Sequence, residues 1–281
     1  MATDKTPFFS IIIPTLNEEK FIPKLLNDLA NQSYTDFEVL VVDGGSIDKT
    51  GKECLSFSKK LTLMFFSNNG KNVASQRNLG AKKSCGQFLI FFDADVSIPK
   101  NFLKKLHKQI TVTKGLLYTT NLSVNSKSQT QILLVELTNF IVGSFNLLGK
   151  PFAPGFDIIM DRDIFEKLGG FDHTLVLAED HDIVQRARKM GILLKVLKEP
   201  TLYMSFRRPE KIGYLQFLAQ YAISGTQTLL GEPIRKELYK YPMGGHVYDK
   251  TGGNGKNILT NITKSLSTKI KSFSKNLELP F

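Results

Sequence analysis

The chain of 281 residues contains no tryptophan and only two cysteines, Cys54 and Cys85. Two cysteines without ligand spacing provide neither a disulfide framework nor a structural zinc site, so we expect buried thiols in a reducing compartment. The first strand is not followed by Gly-x-Gly-x-x-Gly, and no Gly-x-x-x-x-Gly-Lys-Ser/Thr occurs. The phosphate loops of dinucleotide-binding folds and of P-loop enzymes are therefore missing. The first seven residues form no apolar signal region, which favours a cytoplasmic location.

The overall composition predicts a packed globular protein with a basic surface. Apolar residues make up 42% of the chain and charged residues 22%, and the formal net charge is +11. Such a charge suits phosphate-bearing ligands, nucleic acid or an anionic membrane surface. We expect no nucleic-acid partner, because the sequence has no basic–aromatic RNA motif and no zinc or helix-turn-helix signature.

Short apolar segments alternate with helical patterns over the first hundred residues. Strands are predicted at Phe8–Ile13, Phe37–Val42, Leu61–Phe66 and Phe88–Phe92. We expect the first strand to stop at Pro14 and Asn17 to cap the helix that follows, with further predicted helices at 73–83 and 161–168 and a strand at 114–124. This alternation is typical of an α/β fold with a mostly parallel central sheet flanked by helices. We predict an α/β domain over residues 1–205 and a helical, basic extension over 206–281.

Two carboxylates, Asp93 and Asp95, end the apolar run Phe88–Phe92. In an extended segment, side chains two residues apart point to the same side, so the two carboxylates would converge. The carboxyl ends of parallel strands are where open α/β sheets bind ligands, and paired carboxylates there suit Mg²⁺ or Mn²⁺ carrying phosphates. Two solvated turn acids are an equally weighted alternative.

Polar residues also follow the other predicted strands. Pro14–Glu18 and Asp43 are expected at the same sheet edge, with Asp43 able to accept from a base or ribose donor. Arg77, near the start of a predicted helix, either holds a diphosphate by bidentate bonding or is an exposed helix cation. Further on, Glu179–Asp182 begins another helix. Its acids either stabilise the helix through their interaction with the helix dipole or include a general base for a hydroxyl group.

Two segments are apolar enough to raise the question of a membrane. Ile132–Leu148 is predicted to be a buried helix, with a helix on a membrane surface as the alternative. Residues 207–281 hold 12 Lys or Arg and 5 Asp or Glu, after a predicted apolar helix over about 212–230. Apolar residues spaced three or four apart over 258–277 alternate with lysines, which predicts a basic amphipathic helix docked on an anionic membrane. The alternative is a helix packed on its own domain.

Taken together, five segments in this order resemble family 2 glycosyltransferases of the GT-A fold. The resemblance covers roughly residues 8–195. The matching segments are Ser10–Glu19, Phe37–Asp48, Gln76–Gly80, Gly86–Val96, and Gly169–Asp172 ahead of Glu179 and Asp180.

The resemblance implies a nucleotide-diphospho-sugar donor, expected to be a UDP-sugar, and inversion at the anomeric carbon. By position, Pro14, Thr15, Glu18 and Asp43 would line the nucleoside pocket, and Arg77 would lie near the base and phosphates. The acceptor would be a glycan or lipid-linked hydroxyl, with the protein peripheral on the cytoplasmic face of a membrane.

The same resemblance identifies Asp93 and Asp95 as the Asp-x-Asp motif, with Asp95 the favoured ligand for Mn²⁺ or Mg²⁺. It makes Asp180 the catalytic base, and it puts Arg207 and Arg208 where relatives close a loop over the diphosphate.

Two departures from the family pattern qualify these assignments. Many relatives have Asp-Asp-Gly-Ser where this chain has Asp43-Gly44-Gly45-Ser46, which bears on the donor contacts. The Gln-x-x-Arg-Trp motif of processive members is absent, so we expect a single sugar transfer.

A non-catalytic GT-A module that binds sugar nucleotide or membrane as a scaffold is the alternative function. A nucleotidyltransferase is disfavoured because Pro14–Lys20 is acidic where a basic phosphate loop would be required.

Overall fold

A computed structural model describes residues 6–68, 70, 72–220, 235 and 244–248. Its strands are β1 (Phe9–Thr15), β2 (Phe37–Asp43), β3 (Leu63–Ser67), β4 (Phe88–Phe91), β5 (Leu117–Ser123), β6 (Ile158–Asp161) and β7 (Leu194–Tyr203). Its helices are α1 (Ile22–Ala30), α2 (Thr50–Leu55), α3 (Val73–Lys83), α4 (Phe102–Thr113), α5 (Gln129–Leu147), α6 (Arg162–Lys167), α7 (Glu179–Lys189) and α8 (Arg207–Ile212). Residues 214–220 are also helical, and Gly245–Tyr248 form a 3-10 turn.

The strands form one sheet in the order β3-β2-β1-β4-β6-β5-β7. Every neighbouring pair is parallel except the two made by β6, which runs antiparallel to β4 and β5. The predicted α/β fold with a mostly parallel sheet is thus confirmed. The sequence analysis did not find β6, because four residues are too few to show a period of their own.

The central strands are buried on both faces, as expected for a sheet covered by helices. One face carries Ile11, Ile13 and Val39 against α1 and α4, while the other carries Ile12 and Leu40 against α3. Helix α1 buries the four apolar residues that its helical spacing predicts, Ile22, Leu25, Leu26 and Leu29.

Two local predictions near the first strand are wrong. Strand β1 continues through Pro14 to Thr15, because Pro14 lies in register with Val42 at the strand end. Asn17 does not cap α1, which begins at Ile22 without a side-chain cap. Instead, Asn17 adopts a left-handed backbone conformation (φ 53°), and its Oδ1 accepts a hydrogen bond from the backbone N–H of Ile47.

Helix α5 is more exposed than the sequence led us to expect. Of its residues only Leu134, Val135 and Val142 are buried, while Leu147 is 70% exposed. By length and composition α5 is long and apolar enough to cross a membrane, a criterion that core helices of soluble proteins also meet. The predicted apolar helix near 212–230 is present as far as residue 220, after a break at Gly213, and its remainder lies outside the described residues. The predicted amphipathic helix at 258–277 lies outside them as well.

Candidate active site

A cleft opens at the carboxyl ends of the parallel strands. Nine of the ten site residues predicted from the sequence line it, and Asp43 does not. The nine come from five parts of the chain: Pro14, Thr15 and Glu18 at the end of β1, Arg77 on α3, Asp93 and Asp95 after β4, Asp180 on α7, and Arg207 and Arg208 on α8. The predicted boundary between residues 205 and 206 lies directly before α8, and Arg207 lines the same cleft as residues from β1 and β4.

Asp43 lies behind the cleft and organises the loop that follows β2. Its Oδ1 accepts hydrogen bonds from the hydroxyls of Thr15 (3.0 Å) and Ser46 (2.5 Å). Its Oδ2 accepts from the backbone N–H groups of Gly45 (3.1 Å) and Ser46 (2.8 Å). Gly45 has a φ of 93°, so this turn depends on glycine at that position. Asp43 therefore shapes the cleft through the loop that it holds.

The loops after β1 and β2 are joined by hydrogen bonds that fix the position of Glu18. The backbone N–H of Asn17 donates to Ser46 Oγ (2.7 Å), and that of Glu18 donates to Thr50 Oγ1 (2.7 Å). The amide of the buried residue Gln76 donates to the carbonyls of Thr15 (2.9 Å) and Val42 (2.7 Å), which ties both strand ends to α3. Gln76 begins the family-like segment Gln76–Gly80, but nothing in the sequence indicated that its amide joins the two strand ends.

Arg77 is buried, which rules out the alternative of an exposed helix cation. Its relative exposure is 2%, Nη2 lies 2.9 Å from Asp93 Oδ1, and Nη1 lies 2.9 Å from Glu179 Oε1. The guanidinium also lies over the ring of Phe171, 5.4 Å from its centroid. Among the described residues its Nε has no hydrogen-bond partner. A buried cation held by two carboxylates anchors the wall of the cleft and fixes the Asp93 side chain. The sequence analysis had treated Glu179 only as one of the acids at the start of this helix and had not predicted its pairing with Arg77.

Asp95 is held by a different arginine. Arg207 Nε lies 2.7 Å from Asp95 Oδ2, and Nη1 and Nη2 of Arg207 donate to the two carboxylate oxygens of Glu18 at 2.6 and 2.9 Å. The guanidinium lies over the ring of Phe21, 4.5 Å from its centroid. The Asp93–Asp95 segment is a turn and not the extended segment that we predicted, since the N–H of Val96 bonds back to the carbonyl of Asp93 (3.4 Å). Both carboxylates nevertheless face the cleft.

Burial raises the pKa of three acids of the cleft, Glu18, Glu179 and Asp93, and so favours their neutral forms. Burial raises the pKa of Glu18 to about 7, although Arg207 opposes the shift. Burial, and next the charge of Asp180, raise the pKa of Glu179 to about 7. The pKa of Asp93 is also raised by burial, against the effect of Arg77. Crowded carboxylates that resist ionisation are typical of sites that bind a cation or move a proton.

The donor atoms fit a divalent cation that is shared with a ligand. No group of three or more His, Cys, Asp or Glu side chains is arranged to hold a metal within the described ranges. Asp93 and Asp95 thus offer two carboxylates, and Mg²⁺ or Mn²⁺ would need further oxygens. Phosphates and water commonly supply those oxygens in sites that bind metal–nucleotide complexes.

Asp180 lies in the first turn of α7 and lines the same cleft as Asp93 and Asp95. Its Oδ1 accepts from the backbone N–H of His181 (2.8 Å). Its Oδ2 lies only 2.9 Å from the position that a β-carbon on Gly155 would occupy, so the loop at Gly155 passes directly over it. The residue before α7, Ala178, has a left-handed backbone and makes no side-chain cap. The acids of this turn therefore benefit from the helix dipole, while Asp180 also faces the cleft.

A segment near the C-terminus completes one end of the cleft. The N–H of Gly245 donates to the carbonyl of Leu16 (3.0 Å), and Gly244 lines the cleft. A β-carbon on Gly245 would lie 2.3 Å from the carbonyl oxygen of Asn17, so this contact requires glycine. No feature of the sequence had linked residues 244 and 245 to the loop after β1.

The chain is similar in sequence to known glycosyltransferases. Residues 10–169 match the profile of glycosyl transferase family 2. One relative is the poly(ribitol-phosphate) beta-N-acetylglucosaminyltransferase TarS of Staphylococcus aureus, which is 41% identical over 215 residues, covering 71% of this chain and 36% of TarS. An uncharacterised glycosyltransferase of Haemophilus influenzae is 28% identical over 236 residues, covering 78% of this chain and 71% of the relative. The chain thus spans about a third of the length of TarS.

Solved structures show the same fold. Residues 1–349 of S. aureus TarS in complex with UDP-GlcNAc superpose with a TM-score of 0.57 at 27% identity, covering 70% of this chain and 58% of that one. A mannosyltransferase of Pyrobaculum calidifontis in complex with GDP-Man and Mn²⁺ superposes with a TM-score of 0.59 at 20% identity, covering 72% of this chain and 57% of that one. These neighbours identify the architecture as GT-A.

Proposed function

Because the chain belongs to glycosyl transferase family 2, we propose that it transfers one sugar from a nucleotide-diphospho-sugar to a hydroxyl group of a glycan or lipid-linked acceptor, with inversion at the anomeric carbon. The observation that carries this proposal is the meeting in one cleft of Asp93 and Asp95 with Asp180, the buried Arg77 and the partly buried Arg207. The complex of TarS with UDP-GlcNAc supports a UDP-sugar as donor.

On the donor side, Arg77 holds Asp93, and Arg207 and Arg208, which line the cleft, would contact the diphosphate. A divalent cation, Mn²⁺ or Mg²⁺, would be held by Asp95 and Asp93 and, when bound, would offset the charge that develops on the leaving diphosphate. Glu18, Pro14 and Thr15 line the end of the cleft at β1, where the nucleoside would bind.

On the acceptor side, Asp180 acts as the general base. Its carboxylate accepts the proton of the acceptor hydroxyl while that oxygen bonds to the anomeric carbon, and the bond from that carbon to the diphosphate oxygen breaks. The nucleoside diphosphate leaves with the bonding electrons. Glu179 is less suited to this role, because Arg77 already binds its carboxylate and packs it into the wall.

Calorimetric titration with UDP, GDP, TDP and CDP, each with and without Mn²⁺, tests the donor site. We expect UDP to bind, and we expect binding to depend on Mn²⁺ and to be lost in Asp95→Ala. Asp163→Ala is the matched control, because Asp163 is an exposed acid on α6 outside the cleft. Absence of nucleotide binding under all conditions would contradict the proposal and favour the scaffold alternative.

Asp180→Asn tests the chemical step. Asparagine keeps the acceptor oxygen for the His181 N–H but cannot take a proton, so sugar transfer and donor hydrolysis should fall by about 10²-fold or more with UDP binding intact. Asp182→Asn is the control, since Asp182 lies in the same turn of α7 but pairs with Arg186 and does not line the cleft. Equal activity of the two variants would exclude Asp180 as the base.

A further inference from the structure

Arg207 takes up one of the carboxylate oxygens that a cation would need. Three of its nitrogens make charged contacts, two with Glu18 at 2.6 and 2.9 Å and one with Asp95 Oδ2 at 2.7 Å. The side chains are well shielded, with exposures of 16% for Arg207, 7% for Glu18 and 13% for Asp95. In such surroundings ion pairs are screened little by solvent, so this arrangement binds Asp95 firmly.

A divalent ion and the guanidinium compete for Asp95 Oδ2. At 2.7 Å the Nε–H group already occupies one lone pair of that oxygen, and a metal ion about 2.0–2.2 Å from the same oxygen would bring a second positive charge close to the guanidinium. The side chain of Arg207 also rests on the ring of Phe21, which holds the guanidinium between the two acids. Binding of a cation to this oxygen is therefore weakened as long as Arg207 remains on Asp95.

The diphosphate of the donor offers Arg207 an alternative partner. Phosphate oxygens match the fork of a guanidinium at least as well as a carboxylate does, and they bring further negative charge into the cleft. Arg207 lies at the start of α8, directly after Phe206, so a change of side-chain rotamer can exchange its partners without moving the sheet.

We propose that Arg207 competes with the divalent cation for Asp95, and that the donor diphosphate relieves this competition by drawing the guanidinium away. Metal and nucleotide then bind cooperatively: the ion binds weakly to the empty cleft and tightly once nucleotide is present. The coupling is reciprocal, since each ligand favours the arrangement that the other requires. This inference rests on the proposed function and concerns the order in which its ligands assemble.

Binding of Mn²⁺ to the 281-residue chain, followed by the electron paramagnetic resonance signal of the free ion, tests the proposal without an activity readout. In the absence of nucleotide, Arg207→Gln should bind Mn²⁺ at least about tenfold more tightly than the unmodified protein, because Asp95 is released. With saturating UDP the difference should vanish or reverse, since Arg207 no longer blocks Asp95 and then contributes to phosphate binding.

Two further variants separate competition from a general change of charge. Arg207→Lys keeps the positive charge but cannot bridge Glu18 and Asp95 with a planar fork, so it should also bind Mn²⁺ more tightly without UDP. Lys211→Gln removes one positive charge from the same helix outside the cleft and should leave Mn²⁺ binding within about threefold, the effect expected of a screened charge. Thermal unfolding of each variant establishes that it is folded.

The outcomes distinguish this inference from the proposed function. If Arg207→Gln and the unmodified protein bind Mn²⁺ equally without UDP, while Asp95→Ala abolishes metal-dependent UDP binding, the competition is refuted and the donor site stands. A gain in Mn²⁺ affinity that persists unchanged with UDP also refutes the competition, because it reflects charge alone. If neither Mn²⁺ nor UDP depends on Asp95, both the inference and the proposed function fail.

Discussion

Replacing Gly80 with alanine will force α3 away from the sheet that it covers. A β-carbon at position 80 would lie 2.5 Å from Ile12 Cγ2 and 3.2 Å from Val42 Cγ2. Carbon atoms in contact prefer about 3.5–4.0 Å, so the helix has to shift by about 1 Å or Ile12 has to leave its rotamer. Ile12 is fully buried and has little space to move. Since Arg77 lies three residues earlier on the same helix, the shift reaches the cleft.

The magnitude follows from two opposing effects. Overpacking of a filled core costs about 1–3 kcal/mol, and the overlap with Ile12 favours the upper end. Alanine gains about 1 kcal/mol over glycine in a helix interior. The expected net loss is therefore about 2 kcal/mol for Gly80→Ala. Gly143→Ala is the matched control, because Gly143 is also helical but no atom lies within 4 Å of its added β-carbon, so it should gain about 1 kcal/mol.

Urea unfolding followed by far-UV circular dichroism measures both effects, and calorimetry with UDP and Mn²⁺ measures the consequence for the cleft. We expect Gly80→Ala to be destabilised and to bind UDP more weakly, and Gly143→Ala to be stabilised with UDP binding unchanged. Equal stability of the two variants, with equal UDP affinity, would refute the argument that α3 is held at its distance by Gly80.

Three more predictions concern the cleft wall, a buried acid and the surface. Gly155→Ala puts a β-carbon 2.9 Å from Asp180 Oδ2, so sugar transfer should fall by about tenfold or more while UDP binding stays within about threefold; unchanged transfer would contradict the proximity of this loop to the base. Asp157 is fully buried, and burial raises its pKa to about 7 despite hydrogen bonds from Thr119 and Thr120. The folded chain then keeps a proton that the unfolded chain releases near pH 4, so the free energy of unfolding falls as the pH rises from about 4 to about 7. Asp157→Asn should remove the contribution of Asp157 to this fall, measured as the difference between urea unfolding at about pH 5 and at about pH 8. The control Asp163→Asn should leave the difference unchanged. The 281-residue chain should bind anionic liposomes at low salt and release them as salt rises, because residues 207–281 carry a surplus of basic side chains. Binding that does not depend on lipid charge would exclude this attachment.

The sequence predicts well what depends on local pattern. Helix α3 has the predicted bounds, Val73–Lys83, because its first residue follows a capping asparagine: Asn72 Oδ1 accepts from the N–H of Ser75. The edge of the sheet at which Asp93 and Asp95 appear also follows from the alternation of strands and helices, since all parallel strands end on the same side.

Contacts between distant segments are what the sequence conceals. Arg207 and Glu18 are separated by 189 positions, and neither residue carries a signal that selects the other as partner. Asp43 is a residue type and lies at a position that suggest ligand binding. Its carboxylate nevertheless accepts four hydrogen bonds from within the protein, one from Thr15 and three from the loop that follows its own strand. The apolar pattern of α5 predicted burial, but pattern reports hydrophobicity and not whether a neighbour is present to cover it.

The antiparallel strand β6 has a consequence for the time course of synthesis. The four strands β3-β2-β1-β4 are encoded before residue 92, whereas β6, which pairs with Phe88–Phe91, comes roughly 70 residues later. A ribosome adding about 5–20 residues per second needs about 4–14 s to cover that interval. During this interval the newly made half-sheet exposes the unpaired edge of β4, on which strands of other nascent chains could pair wrongly. Protection of that edge by a chaperone is then needed most before residue 161 has been added.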